Sequence, residues 1–310
     1  MKNALAITRW EIQGTLRNRQ FVWFTALFPL IFLGFGFLSI VLQPEFKGMF
    51  STVDPEMLRQ QLETATGGNP QQVISTVVAI VFSFIFLFVV LFSGTFVLQN
   101  IVREKQSRVV ELLLAAVTPQ ELIYGKILAF GALGLVQVLI WVAVGLAALL
   151  VIGPYANIPT WPLLGLVYAY LPWDKLFLFA VYFVLGYLFI ASFSAGMGAT
   201  MTDVLSGQQL QSLVIVLPSA IPFLIFNVIL TDPNGFLPQL FSFIPPTIPG
   251  TMMLRLAMAP VPVWEVAVSL LLLVATILIV MRLAAKVFEV GILMYGKSAT
   301  LREIWRWVRR

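Results

Sequence analysis

The stretch GILMYGKS, Gly291 to Ser298, matches G-x-x-x-x-G-K-[ST] at every fixed position. In such a loop the backbone N–H groups cradle phosphates, the lysine reaches the terminal phosphates and the hydroxyl ligates magnesium. Gly291, Gly296, Lys297 and Ser298 are thus the first candidates for chemistry. A second stretch, LSGQQ from Leu205 to Gln209, is one residue away from LSGGQ, a signature that certain ATPases present to nucleotide. Other chemistries have less to work with. The chain has no cysteine and no histidine, which excludes a disulfide framework, thiolate metal sites and histidine-based acid–base catalysis. Its acidic residues form no pair suited to a proton relay at mid-membrane depth: Asp203 and Asp232 fall in expected loops, and Glu265 near the end of an apolar segment.

Both nucleotide motifs depend on the elements around them. A phosphate loop works between a strand and the helix that begins at its lysine. Here the preceding VMRLAAKVFEV continues an apolar segment with helical spacing, and the next helix start is the capping box of Thr300 and Glu303. The residues after Ser298 are too few for a sheet and a magnesium-binding aspartate. The match is therefore judged false, and no cofactor is expected in this chain. LSGQQ reads as a turn followed by a helix start, with Ser206 and Gly207 suiting the turn.

Composition sets the class. Hydrophobic residues make up 60% of the chain and charged residues 11%, with a mean hydropathy of +0.95, which places it in a bilayer. Crossing a hydrocarbon core of about 30 Å takes roughly 20 helical residues. Six segments qualify: about Val22 to Leu42, Val73 to Leu98, Ile127 to Ile152, Leu176 to Ala199, Leu210 to Leu230 and Val263 to Met281. The expected fold is an all-α integral membrane protein. With both termini inside, only Lys47, Arg59, Lys175 and Arg255 of the 19 basic residues lie outside, so both termini are expected in the cytoplasm. The net charge of +5 follows from this topology and from attraction to anionic lipid; nucleic acid is not needed to explain it.

Residues 1–21 read as an interfacial amphipathic helix, with Leu5, Ile7, Trp10, Ile12 and Leu16 toward lipid and Arg9, Arg17 and Arg19 toward phosphates. No cleavable signal is expected there. Residues 22–285 form the six-span domain, and 286–310 an amphipathic cytoplasmic tail. The external segment 43–72 holds a short helix capped by Asp54 and ended at Gly67 and Gly68. The stretch GPYANIPTWPLLGLVYAYLPW, rich in Trp, Tyr and Pro, suits an aromatic belt. Residues 232–262 are apolar yet broken by seven prolines, which predicts a pair of short re-entrant helices. Arg255 within it either snorkels to headgroups or guards an exit path. The small residues from Ala191 to Ala199 allow close helix approach, read as packing within one chain. Gln137, Asn227 and Arg255 are the candidate pathway residues.

The cytoplasmic stretch REKQSRVVELLLAAVTPQELIYGKIL, Arg103 to Leu128, is the most informative. On a helix Glu104, Arg108 and Glu111 share a charged face opposite Val109, Leu112, Leu113 and Ala116. Thr118, Pro119 and Glu121 then start a new helix through a capping box. A short helix of this kind either lies on the membrane or offers a surface to a partner.

REKQSRVVELLLAAVTPQELIYGK resembles the cytoplasmic segment of ABC-2 type permeases, the membrane parts of ATP-binding-cassette exporters. IPPTIPGTMMLRLAMAPVPVWEVAVSLLLL and VGILMYGKSATLREIWRW are similar to sodium-exporter permeases of the NatB type in that family, although the external segment here is shorter than theirs. The resemblance implies six spans, internal termini, a separate ATPase subunit that binds ATP and magnesium, and a permease homodimer or related heterodimer. It implies an ATPase-coupling role for residues 103–121, carried by Glu104, Lys105, Arg108 and Glu111. Purified alone, the chain is expected to show no saturable ATP binding. Lys297→Ala should change nothing in that assay, and binding abolished by the substitution would reinstate the loop as a site.

Overall fold

Lipid offers no hydrogen-bond partner to a peptide group, so an apolar chain of this kind satisfies its backbone inside helices. The computed structural model describes residues 2–19, 21–27, 29–31, 70–107, 109–155 and 160–291. The expected helix at Asp54, Arg108, and the tail with Gly296, Lys297 and Ser298 lie outside these residues. The described elements are all helical. They are α1 (Lys2–Arg17), the apolar α2 (Phe21–Ile31), α3 (Pro70–Gln106), α4 (Val109–Leu114), α5 (Pro119–Tyr155), α6 (Thr160–Tyr170) and α7 (Trp173–Thr200). Then come α8 (Val204–Gln211), a π turn (Ser212–Val216), α9 (Leu217–Leu224), α10 (Phe226–Thr231), α11 (Phe236–Phe241), α12 (Ile248–Met258) and α13 (Val263–Gly291).

Five helices among the described residues are long and apolar enough to cross a membrane, counting α8 to α9 as one. Of the first expected span, Val22 to Leu42, only the part in α2 falls within the described residues. Two spans are longer than their apolar cores: α3 and α5 each run 37 residues, about 55 Å at 1.5 Å per residue. Side chains fix their direction. Gln72 Nε2 donates to Met258 O at 3.2 Å at one end of α3, and Gln106 Nε2 to Thr202 O at 2.8 Å at the other. The helices therefore alternate between a near end, which carries α1, and a far end, which carries α11 and α12.

The spans meet through small residues. A Cβ added to Gly186 of α7 would lie 2.3 Å from Pro249 of α12, and one on Gly198 would lie 3.1 Å from Ile101 of α3. Gly196 faces Ala284 of α13. At these positions the small-residue cluster of α7 serves contacts within the chain, and α7 forms the centre of the bundle against α3 and α13. On the outside, Phe21 and Phe24 of α2 pack on Phe96 and Phe92 of α3 with ring centroids 5.6 Å apart.

The span expected as one helix over Leu210 to Leu230 is instead segmented. It starts at Val204, because Asp203 caps it: Ser206 donates its backbone N–H and its hydroxyl to Asp203 Oδ2, both at 2.8 Å. LSGQQ thus lies inside α8 and not in a turn, which falls at Met201 to Asp203. The Leu217 N–H bonds to Ser212 O, an i to i+5 bond that makes one π turn. Pro218 and Pro222 withdraw two donors just beyond it, and Ile225 breaks the helix again.

The hydrogen bonds from Ser206 hold the Asp203 carboxyl below its ordinary range. A depressed pKa contributes stability that is present above the unfolded value and lost as pH falls through the folded one. The protection of the Ser206 amide, taken relative to its intrinsic exchange rate at the same pH, should therefore fall on acidification through the folded pKa, and at neutral pH in Asp203→Ala. Equal protection in the variant would show that this cap does not hold the start of α8.

Candidate functional site

Three buried cations organise the two ends. At the near end, Lys126 of α5 is fully buried and donates to Glu11 Oε2 at 2.8 Å, Glu104 Oε1 at 2.7 Å and Asn100 Oδ1 at 2.8 Å. An ammonium group has three donors, and each is used on a different side chain. The side chains of Glu11 and Glu104 are 4% and 14% exposed. Glu11 comes from α1, Asn100 and Glu104 from α3, so one lysine joins three elements. Beside it lies a cavity of about 280 Å³ lined by Thr15, Asn18, Gln99, Arg103 and Ser107 among others.

Glu11 reaches this node because α1 buries a stripe of Ala4, Ile7, Glu11 and Thr15 against α5. Gly125 permits the approach, since a Cβ there would lie 2.8 Å from Ala4 O and from Ile7, and Thr8 Oγ1 donates to Gly125 O at 3.0 Å. The buried face differs from the expected lipid face. Ile7 is buried, whereas Leu5, Trp10 and Leu16 are exposed.

The second near-end cation is Lys105, 5% exposed, whose Nζ donates to Ala199 O at 3.1 Å. Ala199 lies in the last turn of α7, where unpaired carbonyls concentrate negative partial charge. A Cβ on Gly291 would lie 2.6 Å from the same carbonyl, so the ends of α3, α7 and α13 converge on Lys105.

These positions correct the sequence reading of the coupling residues. Glu104 and Lys105 do not stand on an exposed charged face. They close the last turn of α3, buried by α1 and α7, and the helix expected to run on through Arg108 and Glu111 breaks at Ser107. Glu111 lies in the separate α4. The capping box beyond it is present: Glu121 N–H donates to Thr118 Oγ1 at 3.2 Å, and Thr118 N–H to Glu121 Oε2 at 3.4 Å.

At the far end Arg255 of α12 is fully buried, so it does not snorkel to headgroups. Its Nε donates to Pro233 O at 2.7 Å, Nη1 to Ser242 Oγ at 2.8 Å and Nη2 to Asn234 Oδ1 at 3.0 Å. Nη2 also pairs with Glu265 Oε2 at 2.7 Å. The guanidinium thereby ties the α10–α11 turn, the end of α11 and the start of α13 to α12. Nearby, a cavity of about 550 Å³ is lined by Gln71, Gln72, Asp174, Lys175 and the end of α12.

Between the ends several neutral polar side chains are paired, whereas the buried hydroxyls of Ser83 and Ser219 make no hydrogen bond among the described residues. Gln137 accepts from Ser93 Oγ at 2.8 Å, Gln211 Nε2 donates to Ser194 Oγ at 2.8 Å, and Ser192 Oγ donates to its own helix at Leu188 O. Asn227 is exposed on α10. The three candidate pathway residues are therefore not brought together. Sequence reasoning missed Glu11, Asn100, Lys126, Gln211 and Glu265 as partners. Glu11 had a signal: it falls at helical spacing within the stripe of Ala4, Ile7 and Thr15.

Removing one member of a buried ion cluster leaves an uncompensated charge, at a cost of about 3–5 kcal/mol. Lys126→Met should therefore lower the unfolding midpoint in detergent markedly. Glu104→Gln, which keeps a hydrogen-bond acceptor and leaves Glu11 in place, should lower it less. Equal midpoints for wild type and Lys126→Met would remove the node from the stability of the bundle.

The family profile described as ABC-2 family transporter protein matches residues 50–286. The chain is 31% identical over 252 residues to the uncharacterized protein MJ1024 of Methanocaldococcus jannaschii, covering 81% of this chain and 59% of that protein. It is 27% identical over 220 residues to the uncharacterized protein YhaP of Bacillus subtilis, covering 68% of this chain and 50% of that one. The chain thus spans between half and three fifths of the length of these relatives. With five long apolar helices and a family match over most of its length, this multi-pass membrane protein belongs to the ABC-2 transporter family.

Proposed function

We propose that the chain is the permease subunit of an ATP-binding-cassette exporter, driven by ATP and magnesium bound in a separate ATPase chain. In this reading the near end is cytoplasmic, and two permease chains, identical or related, enclose the pathway in the cell membrane. The observation that carries it is the Lys126 node within an ABC-2 fold: a peripheral helix, α1, is joined by buried charge to two spans. A partner pressing on α1, α4 or the turn at Asp203 would act on the transmembrane bundle through elements already joined. Coupling is thus assigned to this end face, with Glu104 and Lys105 as its buried support.

Sodium is the substrate implied by the likeness to NatB-type permeases. A second class, amphipathic organic molecules, is favoured by an apolar groove of about 480 Å³ whose lining includes Phe193, Met197, Met201, Leu210, Val214 and Val287. Paired purification tests both levels. An ATPase co-expressed with this chain should copurify with it, and its hydrolysis should rise with the exported substrate class. An ATPase that neither copurifies nor responds would overturn the permease reading.

Sidedness has its own test, made simple by the absence of native cysteine. Single cysteines at Arg17, Gln106 or Asp203 should resist an impermeant thiol reagent added outside intact cells. Those at Asp174 or Asn234 should react. Labelling of Gln106→Cys from outside would invert the topology.

A further inference from the structure

The span from Val204 to Leu224 is anchored differently on the two sides of its π turn. Below the turn, α8 is locked onto α3 and α7. A Cβ on Gly207 would lie 3.0 Å from Leu98, and one turn further along, a Cβ on Gly94 would lie 2.8 Å from Gln211 Nε2 and 3.4 Å from Ser194 Oγ. Gly94 thus leaves room for the buried Gln211 amide to enter between two helices and donate to Ser194. Above the turn, α9 packs on α12 through Pro222, which lies 3.0 Å from a Cβ built on Gly250, and its Phe223 ring meets Phe84 of α3 at 4.5 Å. α12 in turn carries Arg255 and is tied to the far end.

A π turn holds one residue more than an α turn, and such single-turn bulges inside α-helices are frequent at functional sites. Pro218 supplies no donor to Leu213 O in the π register or to Val214 O in the α register, so that position loses no hydrogen bond when one register is exchanged for the other. Conversion to α geometry without loss of a residue rotates everything beyond by about 100° relative to α8. Such a rotation lifts Pro222 from Gly250.

We propose that the π turn Ser212–Val216 is the hinge of this span, and that the Gln211–Ser194 hydrogen bond is the catch that holds it in the present conformation. Released, the hinge turns α9 against α12 and links the near end to the far-end helices. Gln211 is a positioning residue in this scheme. Its use in transport rests on the permease reading, but the hinge is tested on the chain alone in lipid vesicles, so the two fail separately.

The test uses disulfide formation in paired-cysteine variants. Ideal Cβ atoms at Gly250 and Gly196 lie 3.4 Å from Pro222 Cβ and Ala284 Cβ respectively, close to the disulfide range of about 3.5–4.5 Å. Pro222→Cys with Gly250→Cys reports the α9–α12 contact. Gly196→Cys with Ala284→Cys reports α7–α13 as a control. Adding Gln211→Leu removes the catch, and Gly94→Ala displaces it from the α3 side. Each should slow the α9–α12 cross-link about fivefold, the equilibrium equivalent of one buried hydrogen bond, and leave the control unchanged. Deleting Leu213 removes the extra residue while keeping the orientation of α9, so in that background Gln211→Leu should no longer slow the cross-link. The proposal is overturned if either variant leaves the α9–α12 cross-link at the wild-type rate or slows both cross-links together. It is also overturned if Gln211→Leu still acts after the deletion.

Discussion

A lysine with no access to water needs an acceptor for each of its three N–H groups, and in a membrane bundle few are free, because backbone carbonyls are occupied within helices. Lys126 meets this constraint with three side chains from two elements besides its own. The solution fixes more than the lysine. Glu11 can reach it only if α1 lies across α5, which requires the close approach allowed at Gly125. Glu104 and Asn100 can reach it only if α3 stays helical well past its apolar core. The length of α3 and the pose of α1 thus both serve one buried charge.

The far end solves the same problem with different chemistry. A guanidinium presents its donors in a planar fork, and Arg255 distributes them over two side chains and a backbone carbonyl, with Glu265 as counter-charge. Proline-rich backbone cannot form a long helix there, so carbonyls such as that of Pro233 are free to accept. The prolines that break the helices thereby supply part of the site that holds the pieces together. Between the two ends, several uncharged polar side chains make short hydrogen bonds across or along helices. Adhesion in the middle therefore depends on shape, through glycines opposite proline or alanine.

Much of this architecture was legible in the sequence. Hydropathy placed the five long apolar helices found among the described residues, because an apolar run of that length has one stable arrangement in lipid. The capping box of Thr118 and Glu121 was legible because it involves neighbours in sequence. The burial of Lys105 and Arg255 and the partial burial of Glu104 were not, since each is covered by an element distant in the chain: Glu11 is 115 residues from Lys126. A helical wheel at the end of a span shows a charged face, but not that another helix lies on it. LSGQQ was misplaced for a local reason, as Asp203 starts the helix before the small residues that suggested a turn.

The same long-range contacts bear on how a peripheral helix can act on the spans. α1 exposes Leu5, Trp10 and Leu16 and buries smaller residues together with Glu11, so its larger apolar side chains are available to the interface. Hydrophobic adhesion of that kind is non-directional and lets a helix slide. The Lys126 node is directional, because hydrogen bonds weaken steeply with angle and distance. A force on α1 that would merely shift an interfacial helix is therefore delivered to Lys126, and through it to α3 and α5 together. The carboxylate of Glu11, a charged residue in the buried stripe of an amphipathic helix, converts a lipid-facing element into part of the bundle.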